Sequence, residues 1–507
     1  VSARGAARLL PLLLVLAPAL GAAARGLSAA AKELPVGDRA AMEMYTRLAT
    51  EGAQLLGPYS RFHVHHPGPA FFYASAPLYA LLGGRSEALA LCALLWNAAA
   101  LAVLLRYAAA AGPAGTGAAV AALLAFTAAR GPAWLLSPWN PNLAILPFGA
   151  ALFAAARVAA GDVRALPVAA VFASLAVQTH VATAPALAAI AVVAAGLWIA
   201  NRGRAPNAGD RAAMVRAFAI ATGALCVLWA LPVVEQLTSP EGNLGRLAST
   251  LAVRHETRSP GTALSAVAAA FFGLATPSRV LAPAWADVLF VLSCGALVLV
   301  GVRRRRHDAF AAALALVCLA GLGAAVLGTR QAAGRLMPYL LRWVFMLTVA
   351  AAVALAEAFA RGAPSRAAAR VSPPLRAAGG LAAVGVAFAL GAFTPAERRS
   401  RDSNIVRSLR RQLGERSELR SGRFLVEVAS GVDRGKAVGL LLALDKRGLD
   451  FAIRPFGPFK FGGHWQPTGR EAGTLLLTKA EAEERPVARA GRLAVAWRAP
   501  ASEAAPP

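Results

Sequence analysis

Long apolar runs, punctuated by arginine, glycine and proline, fill the first 394 residues. A helix needs roughly 20 apolar residues to cross a bilayer. On that measure the pattern predicts spans at 7–24, 87–107, 114–130, 141–158, 166–181, 182–200, 213–234, 285–302, 308–328, 337–360 and 376–394. That makes about eleven spans. Two further apolar stretches, 69–83 and 262–276, are short or broken by proline and glycine, and read as interfacial or re-entrant. Beyond 395 the pattern changes. Arg423–Ala429 alternates like a strand, and Gly435–Lys446 has helical apolar spacing with Gly448 placed to end it. Leu449–Ile453, Thr474–Leu477 and Leu493–Trp497 read as further strands, and Ala499–Pro507 as a frayed tail. The expected fold is a polytopic α-helical membrane protein with a small C-terminal α/β domain. Its domains are 1–394, with large loops at 25–86 and 235–284, and 395–507.

Composition agrees. Of 507 residues, 57% are hydrophobic and 15% charged, against about 45–50% and about 25% in soluble domains. This excludes a disordered, collagenous or disulfide-built chain and argues against a soluble enzyme. Cys92, Cys226, Cys294 and Cys318 each lie in an apolar run without C-x-x-C spacing, so neither disulfide nor zinc is expected. Residues 1–25 fit a first transmembrane helix and also a cleavable signal peptide. Either leaves the following loop outside the cytoplasm.

The net charge of +26 has the size of a nucleic-acid footprint, but its placement says otherwise. With the N-terminus cytoplasmic, five basic groups fall on one side: Arg106, Arg157 with Arg164, Arg202 with Arg204 and Arg211, Arg303–Arg306, and Arg361 to Arg376. That is the positive-inside bias, and it puts the domain after 395 outside. The other loops carry Asp, Glu, His, Trp, Asn and Gln, so any site faces outward.

The first outer loop is the richest in chemistry. From Asp38 to Glu51 the residues Ala41, Met42, Tyr45, Leu48 and Ala49 share one face, which predicts a short amphipathic helix lying on the membrane. Asp38 reads either as the N-cap of that helix or as a general base at the membrane edge. Glu43 reads either as a surface residue paired with Arg47 or as a second functional carboxylate. Five positions put the two acids about 140° apart on a helix, which suits one catalytic and one supporting residue.

His63, His65 and His66 are candidate polar contacts. An extended segment would point His63 and His65 to one side, as a metal site needs, but a third ligand at firm spacing is missing. No metal is assigned and no cofactor is expected, a divalent metal standing as the weaker alternative. Arg61 suits an anion, which a guanidinium grips bidentately. Trp139 reads as a belt residue or, with Asn140, as a ligand contact. Gln178 and His180 sit at a hairpin tip, Glu235 at a membrane edge, and Arg330, Arg335 and Arg342 on the side the charge bias disfavours.

Together these features resemble the GT-C superfamily of integral-membrane glycosyltransferases. The likeness rests on one N-terminal span, then Gly37-Asp38 with Glu43 five on, then His66-Pro67-Gly68-Pro69 leading into Phe71-Phe72-Tyr73. The His-Pro … Tyr stretch is similar to that of the protein mannosyltransferase and aminoarabinose-transferase branches, and Gly334-Arg335-Leu336-Met337-Pro338-Tyr339 is loosely similar to their late span. Gly68 stands where those branches have a second proline, and no tandem Asp-Glu follows the first span.

The resemblance implies a sugar donor on polyprenyl phosphate, and a glycan, lipid or protein acceptor. It implies inverting transfer with Asp38 as base, and Arg61, Arg335 and His66 at the leaving phosphate. It also implies a bacterial inner membrane and no nucleic-acid partner. Two other readings compete: a transporter or flippase of lipid-linked glycans, and a non-catalytic envelope-assembly protein. Against the transporter, no internal repeat is present and the polar residues avoid mid-span positions.

Overall fold

The computed structural model describes residues 3–29, 34–201, 211–253, 257–305, 307–360, 382–391, 401–414, 416–420, 422–456 and 465–499. The chain forms two compact units. One comprises Val1–Arg25, His66–Ala70 and Ala93–Thr394; the other comprises Gly26–His65, Phe71–Cys92 and Pro395–Pro507.

The first unit is helical. Among the described residues seven helical stretches are long and apolar enough to cross a membrane. The first, Ser86–Arg130, holds two helices, α4 (Ser86–Ala108) and α5 (Gly112–Arg130). They are separated at Gly112, whose φ of +88° no helix tolerates. The others contain α6 (Asn140–Leu143) with α7 (Ile145–Ala159), α9 (Ala184–Asn201), α10 (Arg211–Thr238), α13 (Ala284–Arg303), α14 (Ala309–Gln331) and α15 (Phe345–Ala360). The remaining apolar helices are shorter. They are Leu9–Arg25 within α1 (Ala3–Ala29), α8 (Leu166–Thr179), α12 (Pro260–Phe271) and Ala382–Gly391, here α16. Helices Ala70–Leu81 (α3) and α12 occupy the two stretches expected to be interfacial or re-entrant. The protein is a multi-pass membrane protein.

Burial separates the helices by role. Nearly every residue of α7 is buried, because it is apolar on all sides and sits at the centre of the bundle. Leu101, Leu104, Leu314, Met346 and Val349 pack in the same core, as do Val15, Leu16 and Ala19 of α1. By contrast α10 and α13 expose Val215, Phe218, Val227, Leu237, Val288 and Leu292. Apolar faces turned outward are what lipid contact requires. Alanine lines the buried faces, and small side chains let helices approach closely. Of the basic residues expected on one side, Arg202, Arg204, Arg306 and those of 361–376 lie outside the described residues, as does the tail from 500 onward.

The second unit is α/β. Its sheet runs β2 (Phe451–Ile453), β1 (Phe424–Val428), β3 (Thr474–Lys479), β5 (Leu493–Arg498), β4 (Ala488–Ala490). β1 is parallel to both β2 and β3, and the last three strands pair antiparallel. Between β1 and β2 runs α18 (Arg434–Asp445), opened by Asp433, whose carboxylate accepts from Lys436 N at 3.0 Å. Gly448, at φ +70°, follows its end as expected. The sequence missed β4 and α17 (Arg401–Leu413). The latter buries a stripe of Val406, Leu409 and Leu413 within a strongly basic segment.

The helix expected over 38–51 exists as α2 (Gly37–Thr50), but it is not a surface helix. Ala40–Thr46, Leu48 and Ala49 are all buried. Gly439 of α18 makes the approach possible. A side chain there would lie 2.9 Å from the Pro35 carbonyl and from Val36 Cγ1, immediately before α2. The amphipathic pattern therefore reports packing inside the α/β unit, not a membrane face.

Candidate functional site

Asp38 lies in the first turn of α2, just after Gly37, which takes φ +58°. The cap position belongs to Val36, and no side chain caps this helix. The capping role expected for Asp38 is therefore not made. Its Oδ1 accepts the phenolic hydroxyl of Tyr59 instead. Tyr59 is placed by a tight hairpin. It pairs with His65 across an antiparallel bridge, Ser60 N donates to Val64 O at 2.9 Å, and His63 turns the chain at φ +60°. Buried Tyr45 senses the same carboxylate: desolvation and the negative charge of Asp38 both push its phenol well above the ordinary value.

That hairpin also decides the histidines. The left-handed His63 breaks the extended run that would have aligned it with His65. His63 is exposed, whereas His65 is buried, edge-on to Tyr45 at 5.9 Å between ring centroids. His65 Nδ1 donates to Gly57 O at 2.8 Å. Arg61 holds its guanidinium over the Phe62 ring, 4.7 Å from the centroid. Among the described residues no group of three His, Cys, Asp or Glu side chains is placed to hold a metal ion.

Glu43 is 1% exposed and does not pair with Arg47. Its Oε1 accepts from Tyr79 Oη at 2.8 Å and Ser86 Oγ at 3.1 Å, and it forms an ion pair with Lys446 Nζ. Lys446 also donates to Ser86 Oγ at 2.8 Å. Arg47 pairs with Asp445, the neighbour of Lys446. Three side chains thus enclose the Glu43 carboxylate on its Oε1 side.

The helical unit holds a second cluster. His66 and His180 lie with ring centroids 4.9 Å apart, tilted by 39°. Val181 N donates to His66 Nδ1 at 3.1 Å, and Ala182 N to His180 Nδ1 at 3.3 Å. Two occupied Nδ1 acceptors fix both neutral rings as Nε2–H donors. Gln178 is fully buried and donates to Leu228 O at 2.7 Å. That bond turns its Oε1 toward Gly68, where any Cβ would overlap the amide. The glycine in place of a second proline thus has a steric cause: Gln178 fills the space. Asn140 donates to Thr179 O at 3.3 Å, which fixes the start of the 140–159 stretch to the end of α8.

Trp139 stacks with charge as well as with rings. Arg342 Cζ sits 4.7 Å from its centroid, Tyr339 lies 5.6 Å away, and Arg342 Nη1 donates to Asn142 Oδ1 at 2.6 Å. Glu235 is buried at the far end of α10, where its Oε2 accepts from Asn243 N at 2.8 Å and so caps α11 (Asn243–Ala252). Arg335 is exposed, on a loop that Arg258 clamps through the carbonyls of Thr329, Ala332 and Gly334. The predicted residues therefore divide. Asp38, Glu43, Arg61, His63 and His65 lie in the α/β unit, and His66, Trp139, Asn140, Gln178, His180, Glu235 and Arg335 in the helical unit.

The chain is similar in structure to ArnT from Cupriavidus metallidurans, solved bound to undecaprenyl phosphate. The TM-score is 0.53 at 12% identity, over 99% of this chain and 98% of that one. The fold is GT-C-like. No family model and no curated protein sequence matches the chain.

Within this GT-C-like fold, two residues that sequence reasoning did not single out now matter. Tyr59 and Lys446 gave no signal, because their partners are distant in sequence. Arg342, which the charge bias already marks, is a cation inside an apolar helical stretch, and such residues are functional candidates by default.

Proposed function

We propose that the chain is a glycosyltransferase that moves a sugar from a polyprenyl-phosphate donor to an acceptor hydroxyl, outside the cytoplasm. The observation that carries this reading is the likeness to ArnT along nearly the whole of both chains, together with that protein's bound undecaprenyl phosphate. In the proposed step Asp38 takes the proton of the acceptor hydroxyl. The oxygen attacks the anomeric carbon in line, the bond from that carbon to the phosphate oxygen breaks, and the polyprenyl phosphate leaves with the electron pair. Configuration inverts.

Tyr59 holds the Asp38 carboxylate in place, as a base needs when position supplies much of the rate. Within the α/β unit, Arg61 offers a planar set of donors of the kind that suits a departing phosphate. Arg335 carries charge on the side expected to face outward. The N-terminus is proposed to be cytoplasmic, and the segment after 395 extracytoplasmic, in a bacterial inner membrane. The extent of the two domains, 1–394 and 395–507, belongs to the same proposal.

The test is binding. The purified chain in lipid nanodiscs is expected to bind undecaprenyl phosphate saturably. Absence of binding at any concentration the bilayer admits contradicts the assigned donor. A reporter fused after residue 395 is expected to read extracytoplasmic, and a cytoplasmic reading overturns the orientation.

A further inference from the structure

The α/β unit contains a cavity of about 590 Å³, formed where α17 and α18 end. Arg416, Arg420, Arg423 and Arg447 line it, and Asp450 is the one carboxylate among the described lining residues. Gly414, Gly422 and Gly448 keep its walls low. The volume lies inside the ~300–1,000 Å³ range of small-molecule sites.

A plainer explanation accounts for part of this. Arginines gather at helix C-termini because the last carbonyls are unsatisfied. Arg447 donates to Arg410 O at 2.9 Å and Arg420 to Gly414 O at 3.4 Å, both at the end of α17. Arg416 donates to Val487 O at 3.3 Å, and Arg423 pairs with Asp450 at 3.2 Å. Each guanidinium carries five N–H donors in a fixed fork. The carbonyls hold these side chains in position and carry no formal charge to neutralise them. Among the described lining residues, four cations therefore face one carboxylate around an open space.

We infer that this cavity binds a sugar bearing a phosphate or a carboxylate. Guanidinium forks match both oxyanions bidentately, and the remaining donors and nearby carbonyls suit ring hydroxyls. Among the described lining residues there is no aromatic side chain on which a nucleotide base could stack. The site is separate from Asp38 and Glu43, whose partners are Tyr59, Tyr79, Ser86 and Lys446. It stands whether or not the chain transfers a sugar.

The test uses the full chain in detergent micelles, titrated by calorimetry with glucose 1-phosphate, glucuronate and neutral glucose. At least one charged sugar is expected to bind saturably, with affinity falling as salt rises. The stronger of the two identifies the anion. Arg416→Gln with Arg420→Gln is expected to weaken that binding about tenfold or more, with undecaprenyl phosphate binding unchanged. If the double variant does not fold, Arg420→Lys retains the charge, loses the fork, and is expected to bind several-fold more weakly. Three results overturn the inference: no saturable binding of either charged sugar, equal binding of neutral glucose, or binding unaffected by the substitutions.

Discussion

The phenol of Tyr59 donates to Oδ1 of Asp38, 21 positions earlier in the chain, and by doing so fixes the rotamer of a carboxylate that no helix cap restrains. Removing that hydroxyl should leave the fold and cost the reaction. For Tyr59→Phe the expected outcome is a drop in glycan product of about tenfold, the size of one lost hydrogen bond to a charged group. The thermal midpoint of the purified protein should stay near that of wild type. Product at the wild-type level would make Tyr59 a packing residue only.

Glu43 and Lys446 make the opposite prediction. Their ion pair is enclosed on the Glu43 side, with Tyr79 and Ser86 on the same oxygen. Glu43→Ala leaves a partly buried ammonium without its counter-charge and should destabilise the protein by about 3 kcal/mol. Glu43→Leu combined with Lys446→Met should be milder than either single change, because neither charge is then left unpaired. Chemical denaturation of the four proteins measures the coupling. Additive losses would show that the pair is not energetically linked.

Gly68 should tolerate no side chain while Gln178 is present. Gly68→Ala drives a Cβ into the Gln178 amide and is expected to cost about 1–3 kcal/mol, the usual penalty for overpacking. Pairing it with Gln178→Ala removes the obstacle and should restore most of the thermal midpoint. No recovery in the double variant would place the constraint on the backbone of the His66–Pro69 turn and not on the glutamine.

Asp433 predicts a pH dependence. Partial burial works against its ionised form, but hydrogen bonds from the Lys436 ammonium and from backbone N–H groups outweigh this and hold its carboxyl below the usual range. Such a group contributes stability that is fully present above its unfolded pKa of about 4. That contribution is lost as pH falls through the lower folded value. Asp433→Ala should therefore cost about 1 kcal/mol at pH 7, as loss of an N-cap does. The gap from wild type should narrow in thermal melts near pH 3. A gap that stays constant with pH would mean that the charge contributes nothing.

The membrane helices were legible because hydrophobic length is a local property, and α10 and α13 expose what a lipid-facing helix must expose. The C-terminal strands were legible from alternation to within a residue or two. β4 was too short to show a period, and α17 was hidden by its arginines, which mask three well-spaced apolar positions. The surroundings of α2 were misjudged for a different reason. Its apolar face was read correctly, but Glu43 and Thr46 on the other faces are buried by partners far along the chain. Periodicity shows that a face is covered, not what covers it. The same limit hid Tyr59 behind Asp38 and left His63 and His65 falsely aligned, since one left-handed residue is enough to part them.

The most direct test of the central claim is the envelope glycan itself. Cells lacking this chain are complemented with wild type or with Asp38→Asn, at matched membrane levels, and their envelope glycans are compared by mass spectrometry. The account predicts that wild type restores a sugar addition missing from the deletion, and that Asp38→Asn does not. Full restoration by Asp38→Asn would contradict it.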